Sequence, residues 1–225
     1  MGPDGNTLSI LGGTKFTHRT GLDSGIVRAD YPMLPLYKGR VYYFEVRLQK
    51  VAKQGFVGIG FCEDKTPLDR ALGWHQGLWA FHSDDGCLFK DGNRSRRGIK
   101  YADACSEAGK VLGCGINFAT DEAFYTIDGT AVGRAFTQIR GKLYPAVTMK
   151  VAYGGWEVCV VFPGEDVKSD DFIYKGDLES EDLTREDTDG NAAEAQCGKP
   201  EYQALLAAPD TMILLRRKRH KRWLY

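Results

Sequence analysis

Along residues 109–136 apolar and polar positions alternate with a period of two and leave no room for a helix. Leu112, Cys114, Ile116 and Phe118 alternate with Val111, Gly113, Gly115 and Asn117, the pattern of a strand with one buried face. Ala123–Ile127 reads as the next strand. The Asp128-Gly129 dipeptide after it is favoured in type I′ hairpins, whose two central residues both need positive φ. A third strand follows. In Val41–Leu48 the residues Tyr42, Phe44, Val46 and Leu48 share one face, expected in the core, while Glu45 and Arg47 share the other. Short strands are also predicted at Leu8–Leu11, Gly25–Arg28, Leu78–Phe81 and Cys87–Lys90. Pro32 and Pro35 keep the loop 29–38 out of any central strand and place it at one end of the domain, because proline lacks a backbone donor. The chain therefore reads as all-β.

After Tyr174 the pattern breaks. Residues 177–194 hold eight acidic side chains against the single Arg185 and no aromatic residue, the composition of a disordered linker. Residues 201–215 turn apolar again, but Pro209 limits them to two short helical turns. The run Arg216, Arg217, Lys218, Arg219, His220, Lys221, Arg222 has six cations in seven positions. It reads as a nuclear-localisation signal, as a contact to nucleic acid or an acidic membrane, or as a solvated end. The expected organisation is a disordered segment at 1–7, one domain at 8–174, an acidic linker at 175–199 and an apolar then basic tail at 200–225.

Composition sharpens this picture at a few points. In a chain of 225 residues, 43% hydrophobic content suffices for one sizeable core, and 27 glycines suit many tight turns. Lysine plus arginine equals aspartate plus glutamate at 30 each, so total charge excludes no class of partner. Six cysteines without a CxxC pair or a leader-like N-terminus point to reduced thiols in the cytoplasm or nucleus, with Cys62, Cys114 and Cys159 as small core residues. No apolar run approaches the roughly 20 residues that span a bilayer.

Several residues invite a catalytic reading and fail its requirements. The glycines of Gly55-Phe56-Val57-Gly58-Ile59-Gly60 lie inside a strand, whereas a phosphate-binding loop must open a helix. Glycines that let sheets pack closely or bend are the simpler reading. His82, Asp84 and Asp85 with His75 lack the third ligand or orienting partner of a metal or acid–base site. Cys105 has no partnered histidine pattern. No catalytic residue, no metal and no cofactor is expected. Three loops carry aromatic and arginine side chains of the kind that dominate binding hot spots: Arg28, Tyr31 and Pro32; Trp74 and His75; and Tyr153 beside Gly154 and Gly155. From chemistry alone, Trp74 and Tyr153 could equally cap the ends of the core.

Longer stretches resemble the SPRY domain family. The residues that carry the likeness are VYYFEVRL at 41–48, GFVGIGF at 55–61, the strand and hairpin of 109–136, LYPAVTM at 143–149 and WEVCVVF at 156–162. Val27-Arg28-Ala29 with Pro32, Gly73-Trp74 and His82-Ser83-Asp84-Asp85-Gly86 are similar to the RanBPM-like branch of that family. The resemblance covers about Leu8 to Tyr174. It implies a two-sheet antiparallel β-sandwich that binds partner proteins through loops at one end, in the manner of an adaptor for ubiquitin ligase or sorting machinery.

In relatives that grip short extended peptides, some of them acidic and asparagine-rich, the pocket lies in loops matching the three above. By that resemblance Arg28, Tyr31, Pro32, Trp74, His75 and Tyr153 are the expected peptide-binding residues. Tyr153 stands where several such relatives carry tryptophan, which implies a shallower or differently selective pocket. The LisH and CTLH helical segments of RanBPM-like proteins have no counterpart after Tyr174, so membership in the ligase assemblies they build is not expected. The rival reading is a nuclear or chromatin-associated protein that uses the basic tail on nucleic acid.

Overall fold

The computed structural model describes residues 6–10, 15–18, 24–33, 41–92, 98–151, 156–163, 171–176 and 223–224, with the backbone alone for 6–10, 15–18, 24, 151 and 223–224. The strands are β1 (Asn6–Ile10), β2 (Lys15–His18), β3 (Ser24–Ala29), β4 (Val41–Lys50), β5 (Gly55–Glu63), β6 (Leu78–His82) and β7 (Cys87–Lys90). They continue as β8 (Ile99–Lys100), β9 (Val111–Asn117), β10 (Glu122–Ile127), β11 (Thr130–Phe136), β12 (Leu143–Val151), β13 (Glu157–Val161) and β14 (Trp223–Leu224). No α-helix occurs among the described residues. Two seven-stranded sheets result: sheet A in the order β11-β10-β9-β4-β13-β1-β2, and sheet B in the order β14-β3-β12-β5-β6-β7-β8.

The expected two-sheet β-sandwich is thus what the chain forms. Its ladders are antiparallel except one, since β1 runs parallel to β13. Strand β1 begins at Asn6, two residues before the expected domain start. Strands β2, β8 and β14 were not expected, and the two residues each of β8 and β14 are too few for alternation to register. The 128–129 turn has φ of 49° and 77°, the two positive values the hairpin needed.

The core lies between the sheets. Tyr42, Phe44, Val46 and Leu48 of β4 and Leu112, Cys114 and Ile116 of β9 meet Val57, Ile59 and Phe61 of β5 and Val147 of β12. Each side chain of this size stabilises the fold by about 1.5–3 kcal/mol on full burial. Cys62, Cys114 and Cys159 are all buried, as expected, although of the three only Cys114 belongs to the cluster between the sheets. The described cysteines are free thiols.

The outer face of sheet A carries Glu45, which the alternation of β4 turned away from the core but which has 0% exposure. Residues 171–176 cross over it. Glu45 Oε1 accepts the backbone N–H groups of Ile173 at 2.9 Å and Tyr174 at 3.1 Å, and the Tyr43 hydroxyl at 3.2 Å. Thr126 shares a 2.7 Å hydrogen bond with that hydroxyl. Gly113 makes the arrangement fit, since a Cβ there would collide with both Tyr43 Oη and Thr126 Oγ1. Arg47 donates to the Asp171 carbonyl and stands 3.6 Å from Glu45 Oε2. Tyr43, Val161 and Phe172 close an apolar cluster around the carboxyl group, so Oε1 is met by hydrogen bonds rather than water, while Oε2 has only the nearby Arg47.

Tyr153 with its flanking glycines, Arg94, Arg96 and Arg97, Cys197, the acidic stretch 177–194, the segment 201–215 and the basic run 216–222 lie outside the described residues.

Candidate functional site

Alternation along β5 sends Val57, Ile59 and Phe61 inward and leaves Phe56, Gly58, Gly60 and Cys62 on the outer face of sheet B. The connection between β5 and β6, residues 64–77, folds across that face. Leu72 and the partly buried Leu68 pack on Ile26, Cys62, Leu78, Ala80, Tyr144 and Ala146. The in-strand glycines relieve crowding against the neighbouring strands β6 and β12. A Cβ on Gly60 would strike the Trp79 carbonyl oxygen, and one on Gly58 would sit 2.7 Å from Thr148 Cγ2. Leu68 O accepts the Ile26 amide at 2.8 Å.

His82 fastens the middle of this cover. Its ring stacks between Phe56 at 4.2 Å and Phe89 at 4.1 Å, and Nε2–H donates to the Leu72 carbonyl at 2.8 Å. Burial pushes its pKa down to about 4, so the imidazole is neutral and structural near pH 7. Asp85 Oδ1 accepts the Cys87 amide at 2.9 Å, the work of a turn residue. Burial pushes the Cys105 thiol up to about 11, opposite to what a nucleophile requires. Among the described residues no group of three or more His, Cys, Asp or Glu side chains is placed to hold a metal ion.

Arg28, on β3, projects to one end of the face and is only 8% exposed. Its guanidinium lies 4.6 Å above the Tyr144 ring, donates to the Asp64 carbonyl, and stands 3.6 Å from Asp64 Oδ1. It therefore clamps the start of the 64–77 connection. Tyr31 and Pro32 follow at the same corner, half-buried, and are held there because Met33 N–H donates to Leu143 O at 2.7 Å. Beside them a cavity of about 270 Å³ is lined by Glu63, Asp64, Lys65, Arg140, Gly141 and Lys142.

Trp74 lies at the other end of the same face, half-buried, with Lys150 Nζ 4.9 Å above its ring and Phe56 at 6.0 Å. His75 beside it is also half-buried, and its Nδ1–H donates to Gln76 O at 3.0 Å. Tyr144 under Arg28 and Lys150 over Trp74 are six residues apart on β12, roughly 20 Å at about 3.3 Å per residue. The three-loop pocket of the sequence reading is thus split over this span, with Arg28, Tyr31 and Pro32 at one end and Trp74 and His75 at the other.

Sequence reasoning missed Tyr144, Lys142 and Lys150. Alternation along β12 puts Tyr144, Ala146, Thr148 and Lys150 on one face, but only the register pairing Ala146 with Arg28 brings that face to the site. A larger cleft of about 600 Å³, between β7–β8 and β11 and lined in part by Lys90, Lys100, Tyr101 and Arg134, contains none of the expected site residues.

The family model for the SPRY domain matches residues 41–165. A Ran-binding proteins 9/10 homolog of Drosophila melanogaster is 35% identical over 152 residues, 67% of this chain and 15% of that protein. Ran-binding protein 9 of Homo sapiens is 34% identical over 132 residues, 59% of this chain and 17% of that protein. The chain spans less than a fifth of the length of these two relatives. Among solved structures, a human SPRY domain superposes with a TM-score of 0.55 at 26% identity, covering 65% of this chain and 89% of that one.

Proposed function

This chain belongs to the SPRY domain family, whose members are protein-interaction modules, and from that premise we propose that it binds a short extended peptide of a partner protein across the outer face of sheet B. The observation that carries this reading is the distribution of aromatic and cationic groups at the two ends of the 64–77 cover. Tyr31, Pro32 and Lys142 stand near Arg28, and Lys150 stands over Trp74. Such side chains gain the most on desolvation by a ligand. Arg28 Nε and Trp74 Nε1 are buried without an acceptor, so a peptide carbonyl admitted by a shift of the 64–77 connection gains a donor at either end. A span of roughly 20 Å calls for a ligand of about six or seven extended residues.

Acidic side chains suit this ligand, because Lys65, Arg140 and Lys142 outnumber Glu63 and Asp64 around the corner cavity. The protein then serves as an adaptor in the cytoplasm or nucleus, a placement that the free thiols among the described residues fit.

A peptide-array screen on the full chain tests the reading. Acidic peptides of six or more residues should bind, and Tyr31→Ala and Trp74→Ala should each weaken them by about 1–3 kcal/mol. Arg28→Ala should cost a similar amount through a lost charged hydrogen bond, with thermal unfolding recorded because Arg28 also holds the connection. An array without binders, or binders indifferent to all three substitutions, would remove this face from consideration.

A further inference from the structure

The edge of β3 opposite β12 is where the C-terminal residues arrive. Strand β14 pairs antiparallel with β3, Trp223 opposite Ala29 and Leu224 opposite Arg28. Backbone donors along a strand alternate between its two edges. The Ile26 amide faces away from β12, since it donates to Leu68 O at 2.8 Å. Two residues on, the Arg28 amide is the next donor on that edge. The edge is therefore closed at Ile26 by the 64–77 connection and at Arg28 by β14.

Charge order in the sequence suits this docking. Arg222 and the basic run precede Trp223, and Asp30 follows Ala29, so an antiparallel strand approaches the edge from its acidic side. An exposed edge is a ready template for another extended segment. A two-residue ladder that closes a long connection gains few hydrogen bonds against a loop-closure cost, so a second strand of suitable chemistry can compete with it.

We propose that the β3 edge at Arg28 is a strand-addition site, held in cis by residues 223–224, which an incoming peptide must displace. Its consequence for partner binding rests on the reading given above, because Arg28, Tyr31 and Pro32 directly adjoin this edge. The tail then restrains the module until a ligand of higher affinity arrives, and the backbone of the ligand takes over the hydrogen bonds of Leu224.

Residue-resolved amide exchange on the full chain tests the site without any partner. In the full-length Trp223→Pro/Leu224→Pro variant the Arg28 amide should exchange about tenfold faster or more. The Ile26 amide, bonded to Leu68, and the Val27 amide, which faces β12, should keep their rates. A synthetic peptide with the sequence of residues 216–225, added to that variant, should restore slow exchange at Arg28. Equal Arg28 rates in the two chains would overturn the proposal, and so would acceleration spread evenly over β3, β4 and β9, which is a loss of global stability rather than the opening of one edge. A partner peptide found by the array should bind the proline variant about threefold tighter or more. Equal affinity would overturn the competition, while an empty array leaves the exchange experiment to decide the site itself.

Discussion

Residues 171–176 lie across the outer face of sheet A and residues 64–77 across that of sheet B, and the two covers are fastened by different chemistry. On sheet A one fully buried carboxylate, Glu45, gathers two backbone amides and a tyrosine hydroxyl. On sheet B the cover rests on apolar packing and on a neutral histidine between two phenylalanine rings. Covering a sheet face is therefore not what sets the proposed binding side apart. Sheet B differs because its cover has a half-buried aromatic side chain and a basic one at each end.

The largest effect that would break this comparison is on sheet A. Glu45→Ala strands the amides of Ile173 and Tyr174 and leaves Arg47 without its carboxylate, and should cost about 3–5 kcal/mol in denaturant unfolding. Sheet B should respond to acid instead. The folded pKa of His82 is held at about 4, below the ordinary value near 6.5, so the unfolded chain takes up the proton first. The stability His82 contributes is complete above pH 6.5 and is lost as pH falls toward about 4, by about 3 kcal/mol in all. A His82→Gln variant should lack that component of the pH dependence, as urea titrations at pH 7 and pH 4.5 would show.

Smaller effects sharpen the contrast. Gly60→Ala drives a methyl group into the Trp79 carbonyl and should cost about 2 kcal/mol by thermal unfolding. Tyr31→Ala should change stability by less than about 0.5 kcal/mol while weakening peptide binding. A stability loss matching the binding loss would make Tyr31 a packing residue instead.

Most of the sandwich was legible because period-two alternation survives wherever one face is buried. Residues 41–48 and 111–118 announced their inward faces correctly, and Asp128-Gly129 announced its turn. Alternation says which way a side chain points and nothing about what lies on it, so Glu45 was placed on the outer face without any sign that residues 171–176 bury it there. Arg28 and Trp74 were identified by residue type, but their separation follows from the register of β3 on β12, a non-local pairing that no local pattern encodes. Tyr144 and Lys150 were overlooked for the same reason, since only that register brings them beside Arg28 and Trp74. Strand β14 carries two residues, too few to alternate.

The most direct test of the central claim is an amide chemical-shift map of the full chain titrated with the tightest peptide from the array. The account predicts shifts gathered at residues 28–33, 64–77 and 142–150, with the sheet A cover at 171–176 unmoved. Shifts centred instead on the cleft between β7–β8 and β11, or on the outer face of sheet A, would contradict it.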